Sequence, residues 1–117
     1  ERGIGIINAS ALHMGILTRR GAPDWHPAPP EVREAGRRIL ELCEAHGIDA
    51  SQLALKFSFD HPGIATTLVG MSTRKHVDDN LRALESTIDP ALLKEIQEIV
   101  SPVNNYVWRS GRIENYG

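Results

Sequence analysis

Two short runs, Gly3-Ile4-Gly5-Ile6-Ile7-Asn8 and Ile64-Ala65-Thr66-Thr67-Leu68-Val69, are apolar or β-branched at consecutive positions rather than at alternate ones. A strand has this composition when both faces of its sheet are covered, the condition of a parallel sheet packed between helices. Helix-period stretches lie between and after the two runs, so the chain order is strand, long loop, helix, helix, strand, helix, helix, tail. With right-handed crossovers this is an α/β protein with parallel strands. A lone pair of such strands leaves wide apolar flanks, and the chain enters its first apolar run almost directly from Glu1. We therefore expect a fragment of a longer protein whose other strands lie elsewhere.

The helices are marked by their ends. Pro30 suits a first helical position, and Val32, Ala35, Ile39, Leu42, Cys43 and Ile48 trace an apolar face that Gly47 closes. Asp49, with Gln52 three residues on, is a capping-box-like start for a helix over 51–59, in which Leu53, Ala54, Leu55, Phe57 and Phe59 leave little polar face, so it should be buried. His61-Pro62-Gly63 stops it. Thr73 opens a helix with Val77, Leu81 and Leu84 inward, and Asp89-Pro90 opens another with Leu92, Leu93, Ile96 and Val100 inward, ended by Ser101-Pro102. The segment from Arg19 to Pro30 holds Pro23, Pro27, Pro29 and Pro30 beside an exposed-looking Trp25-His26 pair, so it is a long ordered loop or a lid. The segments are thus 1–18 (strand and loop), 19–30 (lid-like loop), 31–60 (helices), 64–85 (strand and helix) and 89–117 (helix and tail). Tyr106, Trp108 and Tyr116 in the tail follow no period and need another part of the protein to pack on.

Several function classes lose support. A formal charge of −2 and a pI near 6.2 give no electrostatic case for nucleic acid or an anionic membrane surface. No apolar stretch reaches the roughly 18 residues of a membrane span, and no signal peptide is visible, which makes the cytoplasm the default location. The single Cys43 has no internal disulfide partner and reads as a core residue. His13, His26, His46, His61 and His76 are dispersed without metal-ligand spacing, and each reads as a surface or cap residue. Ser10, Ser72 and Ser110 lack the elbow motif of a nucleophilic serine. Asp78 and Asp79 are helix neighbours about 100° apart, not a two-carboxylate site.

One stretch does carry chemistry. After Val69 the chain turns at Gly70 and opens a helix with Ser72 and Thr73, good N-cap residues. Unpaired N–H groups and the positive end of the helix dipole then face whatever lies beyond the strand end. Arg74, Lys75 and His76 crowd that first turn, where cations are unfavourable unless an anion answers them, so the turn reads as a phosphate site. A solvated basic turn is the alternative. The Gly-x-Gly-x-x-Gly turn of a dinucleotide-binding doubly wound sheet is absent, since Gly3 and Gly5 lie inside the strand. A (β/α)8 barrel, in contrast, commonly builds its phosphate site from the loops after its seventh and eighth strands and a helix N-terminus, and the last quarter to third of such a barrel fits this order of elements.

The run from Gly5 through Ser10-Ala11-Leu12 to Gly15-Ile16-Leu17-Thr18 is similar to the seventh strand and cofactor loop of aldo-keto reductases, where Ser-Pro-Leu-x-x-Gly-x-Leu-Thr is common. The stretch ending in Asp79-Asn80 resembles that family's segment around the adenosine end of a nicotinamide dinucleotide. The loop from Gly21 to Glu31, Leu68-Val69-Gly70-Met71-Ser72, and Pro102-Val103-Asn104-Asn105-Tyr106-Val107-Trp108-Arg109-Ser110-Gly111 resemble the L-galactose dehydrogenase branch. The likeness covers nearly the whole chain, with its motifs in order.

This resemblance implies an NAD(P)-dependent oxidoreductase acting on a sugar aldehyde or hemiacetal, such as L-galactose at its anomeric carbon, with this chain as the cofactor-binding C-terminal part of a TIM barrel. By the same likeness Ser10 and Leu12 hold the pyrophosphate. Gly70, Ser72, Thr73, Arg74 and His76 surround the adenosine ribose or its 2′-phosphate, and Asp79 with Asn80 bond the adenine. Ser10 as an ordinary turn residue and Asp79-Asn80 as a solvated helix face are the plain alternatives. Many relatives stack an aromatic residue on the nicotinamide where this chain has Ala9. The family's Tyr, Lys, Asp and His tetrad belongs to the N-terminal half of the barrel, so no catalytic residue is expected here, and Tyr106 and Tyr116 match none of it. His76 and Gly70 stand where NADPH-selective relatives commonly keep arginine and lysine, which points to NAD, with NADP tolerated through Arg74. Trp25 and Trp108 are candidates to border the sugar pocket. A non-catalytic nucleotide-binding regulatory subunit of the same family is the alternative function, to be decided by whether the missing N-terminal part of the barrel carries the tetrad.

Overall fold

The computed structural model describes residues 3–107. Trp108, Tyr116 and the end of the tail motif lie outside the described residues. A short strand β1 (Ile7–Ala9) leads through a single 3-10 turn (His13–Gly15) and the proline-rich loop into helices α1 (Pro30–Ala45) and α2 (Ala50–Phe59). Strand β2 (Thr66–Leu68) follows, then α3 (Arg74–Glu85), α4 (Pro90–Val100) and a last 3-10 turn (Ser101–Val103). The two strands pair in parallel, with Ile7 opposite Thr66, Asn8 opposite Thr67 and Ala9 opposite Leu68. Both are shorter than the apolar runs, β1 taking only the end of its run and reaching one residue past it to Ala9, and Ile4 (75% exposed) and Leu68 (60%) stand in the open. The sheet thus has the sequence of a doubly covered strand pair without the cover.

The helix ends follow local chemistry. Asp49 accepts from the N–H groups of Ser51 and Gln52, Thr73 from that of His76, and Asp89 from that of Ala91, each satisfying donors that the first turn leaves unpaired. Behind α1 the N–H of Ile48 bonds the Cys43 carbonyl (2.9 Å) and that of Gly47 the Glu44 carbonyl (2.9 Å). This paired closure needs a left-handed residue, and Gly47 has φ +67.

One core holds α1, α2 and α4 together: Ile39, Cys43, Ala50, Leu92 and Ile96, with Leu17, Leu53 and Val100 packed against it. Cys43 is fully buried, and burial together with the Asp49 carboxylate pushes its thiol pKa up, as befits an inert packing residue. Gly36, in the middle of α1, lies against Ile16, and a Cβ there would overlap the Ile16 Cγ2 methyl. The close approach of the β1 loop to α1 therefore depends on glycine.

Two expected burials do not occur. Val77, Leu81 and Leu84 were expected inward, yet Leu81 is 52% exposed and the other two are also open; α3 packs on α2, and its buried position is Ala83, with Asn80 half-buried. In α2, Ala54 and Leu55 are buried but Phe57 is 47% exposed. Each of the misplaced apolar side chains is about half exposed.

Candidate cofactor site

The end of β1 runs straight into a tight turn. Ser10, His13 and Met14 all have left-handed backbone (φ 61, 52 and 51), followed by Gly15 at φ 103. Non-glycine residues there cost on the order of 1–3 kcal/mol each and persist only where surrounding contacts fix them. Here the N–H of His13 bonds the Ser10 carbonyl (2.7 Å), those of Gly15 and Leu17 bond the Leu12 carbonyl (3.1 and 3.3 Å), and the Thr18 hydroxyl donates to the Gly15 carbonyl (2.8 Å). Ser51, at the start of α2, donates its hydroxyl to the Leu17 carbonyl (2.9 Å), which ties the turn to the next helix.

At the end of β2 the first turn of α3 forms a second fixed corner. Thr73 Oγ1 accepts from the His76 N–H (3.2 Å), while the Ser72 N–H (3.3 Å) and hydroxyl (3.2 Å) reach His76 Nδ1. That nitrogen is therefore an acceptor, which a neutral imidazole provides. Lys75 Nζ pairs with Asp79 Oδ2 (2.5 Å), and Arg82 reaches Asp79 Oδ1 (3.5 Å). The hydrogen bond from Lys75, aided by the charges of Lys75 and Arg82, holds the Asp79 carboxyl below the usual carboxylate range, so it stays ionised at neutral pH. Of the three first-turn cations expected to call for an anion, Lys75 is answered internally and His76 serves as a cap. Arg74 is exposed and pairs with no described carboxylate.

Between these corners lies a cavity of about 270 Å3. Leu12 and Thr18 come from the β1 loop, and Asp49, Ser51, Gln52 and Leu55 from the start of α2. Val69 and Gly70 come from the end of β2, and His76, Asp79 and Asn80 from α3. Five of the residues singled out in the sequence thus converge: Leu12, Gly70, His76, Asp79 and Asn80. Ser10, Ser72, Thr73 and Arg74 do not line it; Thr73 and Ser72 fix the corner instead, and Ser10 sets the turn. Asn80 Nδ2 is buried without a hydrogen-bond partner among the described residues. An orphaned buried amide at a cavity wall fits a ligand that offers an acceptor there, as an adenine ring does. Asp49, Ser51 and Gln52 were legible only as caps and were missed as wall residues. A larger cavity of about 690 Å3 between α1, α2 and α4 has mostly apolar walls, including Ile39, Phe57 and Ile96, and brings together none of the expected polar residues.

The proline-rich loop is pinned rather than loose. Arg33 on α1 donates to the carbonyls of Asp24 (3.4 Å), His26 (2.5 Å) and Ala28 (3.0 Å). Of the expected exposed pair, Trp25 is exposed (72%) but His26 is not (3%), because both its ring nitrogens are engaged by backbone. Burial, and then the neighbouring His26, lower the His13 pKa. Trp25 lines none of the cavities described above. Among the described residues there is no group of three His, Cys, Asp or Glu side chains placed to hold a metal, and no helix is long and apolar enough to cross a membrane.

Comparison with known proteins bears on this site. Residues 1–101 match the aldo/keto reductase family. The chain is 41% identical to L-galactose dehydrogenase of Arabidopsis thaliana over 98% of its own length, covering 37% of that enzyme. It is 25% identical to D-arabinose 1-dehydrogenase of Saccharomyces cerevisiae over 91% of its length and 35% of the relative's. With Protein tas of Escherichia coli the identity is 28%, over 83% of this chain and 32% of the relative. The chain therefore spans about a third of the length of these relatives.

Proposed function

The chain belongs to the aldo/keto reductase family, and from that premise we propose that it is the C-terminal, cofactor-binding part of an NAD(P)-dependent dehydrogenase that oxidises a sugar at its anomeric carbon, with L-galactose the first candidate. The 41% identity to an L-galactose dehydrogenase and the likeness to a D-arabinose 1-dehydrogenase support a sugar substrate. The observation that carries the reading is the convergence of Leu12, Gly70, His76, Asp79 and Asn80 on one cavity from two strand ends and a helix. At about 270 Å3 it is smaller than the roughly 300–1,000 Å3 of whole-ligand sites, so it suits one end of a dinucleotide.

In this reading Asn80 and Asp79 hold the adenine, Gly70 and His76 flank its ribose, and Leu12 with Ser10 presents the β1 turn to the pyrophosphate. The bound nicotinamide supplies hydride-transfer chemistry. What this chain contributes is binding and orientation: two strand ends and their capped turns set the ligand's position, and the Ser72–Thr73–His76 hydrogen bonds keep the α3 corner from fraying. With Ala9 at the end of β1, any stacking on the nicotinamide must come from elsewhere.

NAD is the preferred cofactor. A 2′-phosphate calls for an aimed cation, whereas Lys75 is held by Asp79 and His76 accepts hydrogen bonds from Ser72. That leaves exposed Arg74 to tolerate NADP. The remaining strands of the barrel and the proton-transferring tetrad belong to the part of the protein outside this chain. The open faces of the sheet and of α3, with Ile4, Leu68 and Leu81, are where that part packs. The test is turnover of L-galactose by the full-length protein, followed by the absorbance of the reduced nicotinamide. NAD should win in kcat/KM; a tenfold advantage for NADP, about 1.4 kcal/mol, would mean that Arg74 or Lys75 reaches the phosphate.

A further inference from the structure

His26 is the one histidine of the proline-rich loop and is buried, at 3% exposure. A buried imidazole needs partners for both nitrogens, and this one has them on two different segments. Nδ1 accepts from the Ala28 N–H (3.0 Å) within its own loop. Nε2 lies 3.1 Å from the His13 carbonyl, which only accepts, so Nε2 carries the hydrogen and donates. His13 is the start of the left-handed His13-Met14 pair, next to Leu12, which lines the cavity. The other side of the loop is held as firmly: the His26 N–H bonds the Pro23 carbonyl (2.9 Å), and the Arg33 guanidinium holds the carbonyls of Asp24, His26 and Ala28. A chain of hydrogen bonds thus runs from helix α1 through the imidazole to the turn that closes the cavity.

We propose that His26 is a positioning residue for the cofactor turn: its Nε2–H fixes the His13 carbonyl and so keeps the unfavourable backbone of His13 and Met14 in the shape that presents Leu12 to the cavity, with Arg33 as the anchor behind it. The loop from Pro23 to Pro29 is in this account a brace and not a lid. Its rigidity follows from composition, since Pro23, Pro27 and Pro29 restrict the backbone before any hydrogen bond forms. This inference rests on the dinucleotide reading of the cavity for its functional consequence, but the brace itself is a property of the fold.

Two substitutions separate the imidazole's two bonds. His26→Gln places an amide donor near the Nε2 position and keeps the bond to His13. His26→Asn places an acceptor near Nδ1, keeping the Ala28 bond and losing the one to His13. In the full-length protein, NAD affinity is read by fluorescence titration, and amide hydrogen exchange over 12–16 is read without cofactor. His26→Asn should weaken NAD about tenfold and speed exchange across 12–16, while His26→Gln stays within about threefold of the unsubstituted protein on both. Two outcomes overturn the proposal: Asn and Gln variants that both match the unsubstituted protein, or variants that suffer equally, which would make the ring mere filling. An unsubstituted protein that binds no NAD, but whose Asn variant alone shows fast exchange, retains the brace and overturns the dehydrogenase reading instead.

Discussion

Replacing Asn80 by alanine should move stability and cofactor affinity in opposite directions. Asn80 Nδ2 is buried on α3 without a hydrogen-bond partner among the described residues, and such a group costs about 1–3 kcal/mol relative to a solvated one. Asn80→Ala removes that cost and gains up to about 0.7 kcal/mol of helix propensity in the interior of α3, offset by the small void that the missing amide leaves against α2. The net is a cofactor-free protein more stable by about 1 kcal/mol, or roughly 1–2 °C in Tm for a protein about three times the length of this chain. With NAD bound the same substitution deletes a hydrogen bond of about 1–1.5 kcal/mol, which is about tenfold in Kd. Thermal unfolding of the full-length protein without cofactor, paired with calorimetric titration by NAD, measures both. A variant that is destabilised by about 1 kcal/mol or more and binds NAD as before would make Asn80 a structural residue and refute the reasoning.

Other outcomes follow from particular contacts. Gly36→Ala, normally worth up to about 1 kcal/mol to a helix, should instead destabilise the full-length protein by about 1–3 kcal/mol, since the new methyl meets buried Ile16; denaturant unfolding measures this, and an unchanged or raised midpoint contradicts it. Trp25→Ala should raise KM for the sugar and leave NAD affinity alone, because Trp25 is exposed on a braced loop beyond a strand end; an unchanged KM removes Trp25 from the sugar pocket. The 117-residue chain expressed alone should be poorly soluble and inactive, given its open Ile4, Leu68, Leu81 and Phe57; measurable hydride transfer by this piece contradicts that.

What the sequence disclosed was mostly local. Asp49, Thr73 and Asp89 bond N–H groups two or three residues away, so spacing alone identifies them as caps. Gly47 stops α1 through its own backbone conformation. The α3 face was misread for a different reason: the period of Val77, Leu81 and Leu84 says that a stripe is apolar, not what lies opposite, and the helix instead buries Ala83, with Asn80 half-buried. His26 was illegible because its bond to the His13 carbonyl joins residues 13 apart across a loop with no periodicity. The cavity was half legible. Its family-like positions Leu12, Gly70, His76, Asp79 and Asn80 stood out by resemblance, whereas Asp49, Ser51 and Gln52 became wall residues only when α2 folded against both strand ends. Arg74, from the same basic first turn as His76, stands exposed outside the cavity walls.

The central claim is that the cavity between the β1 turn and the first turns of α3 holds the adenosine end of a nicotinamide cofactor. Amide hydrogen exchange of the full-length protein, with and without saturating NAD, tests it most directly. Slowed exchange at Leu12, at Gly70 to Ser72 and across the first turns of α3 is the predicted result, with α4 unchanged. Protection elsewhere, with these segments exchanging as fast as in the free protein, would contradict the account.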